Sequence, residues 1–138
     1  MSEPRPSVMQ FVGAVVRAEF ARAGDAHDAD VAQRIMVRLH GALGKLIGPA
    51  GFDVLVARSL VVARRAHPVL VGIMAGPGGT FIGFDKGERD RVALQEGAMA
   101  IVAHFIELLV VLIGEDLTMR LLRDVWPTVE EERNDDRA

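Results

Sequence analysis

The stretch LLVVLIGEDLTMRLLRDVWP, residues 108–127, decides how the chain is read. It opens as apolar as a membrane span, and then Gly114, Glu115 and Asp116 stand where the run should continue. Two local structures fit it. If glycine breaks a helix at 114, both carboxylates fall in the first turn of a new one, where the positive end of the helix dipole favours each by roughly 0.3–1 kcal/mol. If the helix continues, about 100° per residue puts Leu117, Leu121, Leu122, Val125 and Trp126 on one broad face. Asp116, Arg120, Arg123 and Asp124 then share the other face, and Glu115 falls on the apolar side. A carboxylate held there needs a partner, because an unpaired buried charge costs several kcal/mol. Arg58, at the border of the third helix's apolar face, is the first candidate partner and Arg120 the next. Glycine directly before acidic residues favours the break. In either case Arg58, Glu115 and Arg120 are structural polar residues. Trp126, before Pro127, closes the last helix against the core, and its indole N–H then requires an acceptor.

A chain of 138 residues fits one domain large enough to bury a real core without staples. Residues 7–127 are expected to form it as an all-α bundle of four long helices and a shorter C-terminal fifth, with 1–6 and 128–138 as tails. There is no cysteine, which excludes a disulfide framework, a thiolate nucleophile and Cys-based metal sites, and which fits a cytoplasmic setting. The start MSEPRPSVMQ lacks the basic-then-apolar order of a secretory signal and is expected to be the native beginning. Half the residues are hydrophobic, so a membrane span has to be tested. The best candidate, Val92 to Ile113, is interrupted by Glu96, His104 and Glu107, and reads as a buried helix rather than a span. Net charge is -3, and the tail EEERNDDRA, with five acids against two Arg, accounts for all of it. Positive charge is too scattered for a nucleic-acid surface.

Helical period is legible along most of the chain. Ser7 and Gln10 have the spacing of a capping box, and Val8, Phe11, Val12, Val15 and Val16 follow as one stripe until Gly24. A second helix is expected over 28–47, capped by Asp25 or Asp28, with Val31, Ile35, Leu39, Leu43 and Leu46 inward; GPAG ends it. The third runs from Phe52 to Ala66 with Phe52, Leu55, Val56, Ser59, Leu60 and Ala63 on one side, and stops where His67 precedes Pro68. AGPGGTFIGFDKGE is the long irregular stretch, with TFIGF as a short extended piece. Asp85 and Glu88 form a second box that opens the fourth helix. That helix is apolar around most of its circumference, as befits the element the others pack against.

IGEDLTMRLLRDVWP, and more faintly LVARSLVVARRAHPVL, are similar to segments of small uncharacterised all-helical bacterial proteins. The resemblance implies a helical fold over about a quarter of the chain and carries no activity, cofactor or site residue.

The chemistry-bearing residues are sparse. Glu96, His104 and Glu107 fall within about 80° of one another on the fourth helix, a candidate metal site of the kind bundles build from inward Glu and Glu-x-x-His pairs. Here, however, the order is His-x-x-Glu with no second copy, and the bland reading is the wet seam of a mostly buried helix. GPGGTFIGFDKG lacks the Gly-Lys-Ser/Thr ending of a phosphate loop. Ser7 is a cap and Ser59 faces inward, so serine catalysis has no apparent nucleophile, and no cofactor is implied. Phe81 and Phe84, with Ile82, either anchor a partner or cap the core. Val37, Gly41, Gly44 and Gly48 line one side of the second helix, a small-residue groove for close approach of the fourth helix or of another subunit, since three helical glycines cost about 1 kcal/mol each. The expected function is therefore a non-enzymatic helical protein-interaction or regulatory module and a homo-oligomer. Its alternative is a metal- or small-ligand-binding bundle centred on Glu96, His104 and Glu107.

Overall fold

The computed structural model describes residues 5–23, 28–83 and 90–127. They form five α-helices: α1 (Pro6–Ala23), α2 (Asp28–Ile47), α3 (Pro49–Ala66), α4 (Arg91–Ile113) and α5 (Glu115–Val125). Between α3 and α4 lie two 3-10 turns, Pro68–Leu70 and Pro77–Gly79, and a minimal hairpin of β1 (Met74–Ala75) and β2 (Phe81–Ile82). Its strands pair antiparallel, Met74 opposite Ile82 and Ala75 opposite Phe81. The fold is all-α.

Burial follows the helical stripes. Val8, Phe11, Val12, Val15 and Val16 of α1 are buried, as are Ile35, Leu39 and Leu43 of α2 and Phe52, Val56, Leu60 and Ala63 of α3. They belong to one core in which α4 packs against each of the other four helices. At the centre Phe52 meets Phe105 with ring centroids 5.1 Å apart, and His40 stands edge-on to Phe52 at 4.9 Å; such tilted contacts add to plain burial. Val92–Ile113 has a mean hydropathy of 2.1 and is half buried; among the described residues it is the one helix long and apolar enough to cross a membrane by length and composition.

Several helix ends differ from the sequence reading. α1 starts at Pro6, so Ser7 stands inside the first turn rather than capping it, and its hydroxyl donates to Glu115 Oε1 at 3.2 Å. α3 starts at Pro49, a turn earlier than Phe52, because proline at the first helical position has its φ preset and no amide to satisfy. α4 is capped by Asp90, whose carboxylate accepts from the Ala93 amide at 3.1 Å, worth about 1 kcal/mol. Asp85 and Glu88, the expected box, lie outside the described residues, as do Asp25 and the side chain of Val31. Leu46, expected inward, is exposed because it stands in the last turn of α2, past the packed stripe. The break at Gly114 is present, and Glu115 and Asp116 open α5.

The hairpin rests on α2 through a backbone approach that only glycine permits. Gly79 has φ +84, and a Cβ there would stand 2.9 Å from the Met36 carbonyl oxygen. Gly79→Ala therefore adds backbone strain to a clash with a main-chain atom, and it should lower stability in urea unfolding by about 1–3 kcal/mol. A loss below about 0.5 kcal/mol, the size of an ordinary surface change, would show that the hairpin does not sit against α2 in this way.

Candidate functional site

Three surfaces bring polar or exposed apolar groups together. The first is the hairpin. Three side chains from the helices beneath bind its main chain: the Gln33 amide oxygen accepts from the Phe81 N–H at 3.3 Å, Asp53 Oδ1 accepts from the Gly78 N–H at 3.1 Å, and the Arg64 guanidinium donates to the Ile73 carbonyl. Phe81 is buried and caps the core. Its strand neighbour Ile82 points the other way, and because Met74 is its cross-strand partner, the two share one face. They are 64% and 57% exposed, Met74 and Ile82 respectively, and Val71 nearby is exposed too. A loop braced by three side chains thus holds an apolar pair toward solvent. Of the residues expected there, Phe81 turns inward and Phe84 lies outside the described residues.

The second surface is a polar cleft where α5 begins beside the start of α1, an open space of about 400 Å³ lined by Ser7, Glu115, Asp116, Met119, Arg120 and Arg123. Arg5 spans its edge, with Nε 3.1 Å from Glu107 Oε1 and Nη1 3.7 Å from Glu115 Oε2. The partners of Glu115 are therefore Ser7 and Arg5, both near the α1 start, and not Arg58; Arg58 is exposed, as is Arg120. The physical reason is the helix break, which turns Glu115 to the solvent side and removes any need for a buried cation. Solvent-exposed pairs of this kind contribute about 0–1 kcal/mol. Among the described residues its lining holds no histidine beside Ser7.

The third is the seam of α4. Glu96 is exposed, His104 half-buried, and Glu107 is engaged by Arg5. These three do not converge on one point, and among the described residues no group of three His, Asp or Glu is placed to hold a metal ion. His104 faces His67, the residue that ends α3. Burial chiefly lowers the His104 pKa below its ordinary 6.5; His67 lowers it further, and Glu107 opposes both.

Among the described residues nothing packs into the glycine stripe of α2. No atom lies within 4 Å of a Cβ built on Gly41 or Gly48, Gly44 is neighboured by the His40 ring of its own helix at 3.6 Å, and Val37 is exposed. α4 does not fill it. Gly48 lies beyond the end of α2, as the cap of α3.

Sequence reasoning missed the most buried polar tie. Glu19, only 1% exposed, accepts from the Trp126 indole N–H at 3.1 Å and lies 3.4 Å from Arg38 Nη1 through the same oxygen, Oε1; its Oε2 has no hydrogen-bond partner. This joins α1, α2 and the end of α5. The signal was present, since Glu19 continues the Val8, Val12, Val15 stripe by one more turn, a carboxylate on an apolar face of the kind that demands a donor.

Comparison with protein-family models, curated proteins and solved structures finds no match to this chain.

Two outcomes follow. Trp126→Phe keeps the ring but removes the donor, leaving the buried Glu19 with Arg38 alone; stability should fall by about 1–3 kcal/mol, read by urea unfolding, with helix content preserved below the transition. For His104 the sign is fixed by its lowered pKa: the unfolded chain binds the proton more readily than the folded one. Its contribution is thus fully present above the ordinary 6.5 and is lost as pH falls through that value toward the folded pKa. Unfolding at pH 7.5 and 5.5 should show the parent losing more stability on acidification than His104→Gln; equal losses would remove His104 as the source.

Proposed function

We propose that this chain is a non-enzymatic helical interaction module that self-associates through the hairpin face. One observation carries the reading: Met74 and Ile82, paired across the hairpin, are held outward on a loop tied down by Gln33, Asp53 and Arg64. Ordering a loop costs conformational entropy, and a loop ordered only to cap the core would need Phe81 inward but nothing apolar outward. Loops fixed on rigid scaffolds are where proteins place recognition. A second copy suits this face because a two-fold axis through it sets the Met74–Ile82 pair of one copy against the same pair of the other, an isologous apolar contact. The sparse chemistry supports the same reading. Among the described residues the polar cleft has no histidine in its lining and the α4 seam has no metal geometry. α4 is the core helix of the module, with α1, α2, α3 and α5 all packed against it.

Sedimentation over a range of concentrations tests this directly. The parent should populate a dimer, and the double variant Met74→Lys, Ile82→Lys should remain monomeric with unchanged helix content, because both side chains are already exposed and the fold does not depend on them. A parent that stays monomeric throughout, or a double variant that associates as the parent does, removes the hairpin face as the interface.

A further inference from the structure

Val111 and Leu112 are 78% and 60% exposed, and they stand directly before the break that separates α4 from α5. The break is confined to one residue. The Gly114 N–H still donates to the Val110 carbonyl at 2.8 Å, and the Gly114 carbonyl already accepts from the Thr118 N–H at 3.1 Å. Only its own torsions, φ 92 and ψ 155, interrupt the helix, and no atom lies within 4 Å of a Cβ built there. Bringing those two angles to helical values, about −63° and −42°, fuses Arg91–Val125 into one helix and gives the first amides of α5 the carbonyl partners they otherwise lack.

On the fused helix, at about 100° per residue, Leu108, Val111, Leu112, Met119, Leu122 and Trp126 fall within an arc of about 100°. The exposed end of α4 is therefore in phase with the stripe that α5 now buries, Leu122 and Trp126 included. In that state α5 cannot fold back, and its place beside α2, α4 and Glu19 of α1 stands open. The occupant that fits is already defined by the closed structure, since every contact α5 makes with its own chain is available from the α5 of a second copy. Glu115 resists the change. Closed, it sits at the solvent-facing start of α5 with Ser7 and Arg5; fused, it falls in the middle of the apolar arc.

We propose that α5 is an exchangeable arm: Gly114 acts as a single-residue hinge, and in the extended state two copies trade α5, each Trp126 donating to Glu19 of the other copy. This uses a surface separate from the hairpin, so the two can fail independently. The hinge torsions are open to glycine but strained for any residue bearing a Cβ, and exchange of an identical element is a low-cost route to a dimer.

Gly114→Ala and, separately, Glu115→Leu test it by sedimentation combined with emission from the single tryptophan. Each should shift the monomer–dimer equilibrium at least about tenfold toward dimer, Gly114→Ala through one strained torsion pair and Glu115→Leu by taking the carboxylate out of the apolar arc of the fused helix. The dimer should keep the blue emission of the parent, since Trp126 is reburied, and should persist when Met74→Lys and Ile82→Lys are added. A folded variant that stays monomeric overturns the proposal, as does a dimer with red-shifted emission or one that the hairpin substitutions dissolve. Should Gly114→Ala fail to fold, Glu115→Leu, which leaves the hinge glycine in place, decides alone by the same readings.

Discussion

The structure depends on covering α4. A helix of 23 residues whose side chains are apolar over most of its circumference gains about 25 cal/mol for each Å² of that surface removed from water, and a single neighbouring helix can cover only one side of it. This is why α1, α2, α3 and α5 all touch it and why the connection between α3 and α4 is long enough to lay Leu70 and Ile73, both buried, against the core. About half of α4 stays in contact with water: Glu96, His104 and Glu107 mark a seam that neighbouring helices do not close, and Val92 near its start and Val111 and Leu112 near its end are exposed.

Within that constraint, polarity is admitted on two very different terms. Glu115 and Glu107 meet Arg5 at the surface, where water screens the pair and either carboxylate could be solvated without it. Glu19 is inside, and its single bonded oxygen carries both Trp126 and Arg38. Arg38 stays partly exposed to water while Glu19 does not, so the ion pair is buried at one end only. Removing one partner of such a group costs more than the bond itself contributes, because the carboxylate stays where it is. The tie acts less as added stability than as a condition on where α5 can end.

How much of this was legible follows from which forces are local. Helical period placed the inner faces of α1 and α3 correctly because burial acts on each helix through its own sequence. The break at Gly114 could be read because glycine and acidic residues meet there. Long-range pairing could not be read: Glu115 finds Ser7 and Arg5, more than 100 residues away, where Arg58 had seemed the better partner, and nothing in the local sequence distinguishes the two. Spacing on one helix likewise says nothing about what a facing helix brings, and among the described residues no group of three is placed to hold a metal ion. Phe81 and Ile82 show the limit on a smaller scale. Both were visible as apolar residues in a glycine-rich loop, but which faces inward is set by a two-residue strand register that pattern does not resolve.

The two glycines that separate consecutive helices illustrate how a similar local sign can have different consequences. Gly48 is followed by Pro49 and Gly114 by Glu115. Proline disfavours the helical region for the residue before it and lacks the amide that a continuing helix would use, so α2 and α3 are held apart by covalent structure whatever the surroundings. At Gly114 nothing covalent enforces the corner. It is held by the contacts of α5 alone: the Leu122 and Trp126 stripe, the Glu19 acceptor, and the surface pairs of Glu115. A corner maintained only by docking opens whenever the docking is lost, and the sequence on either side of it is already in register to run on as a single helix. The first junction is thus a fixed turn and the second a conditional one, a distinction that comes from one residue after the glycine.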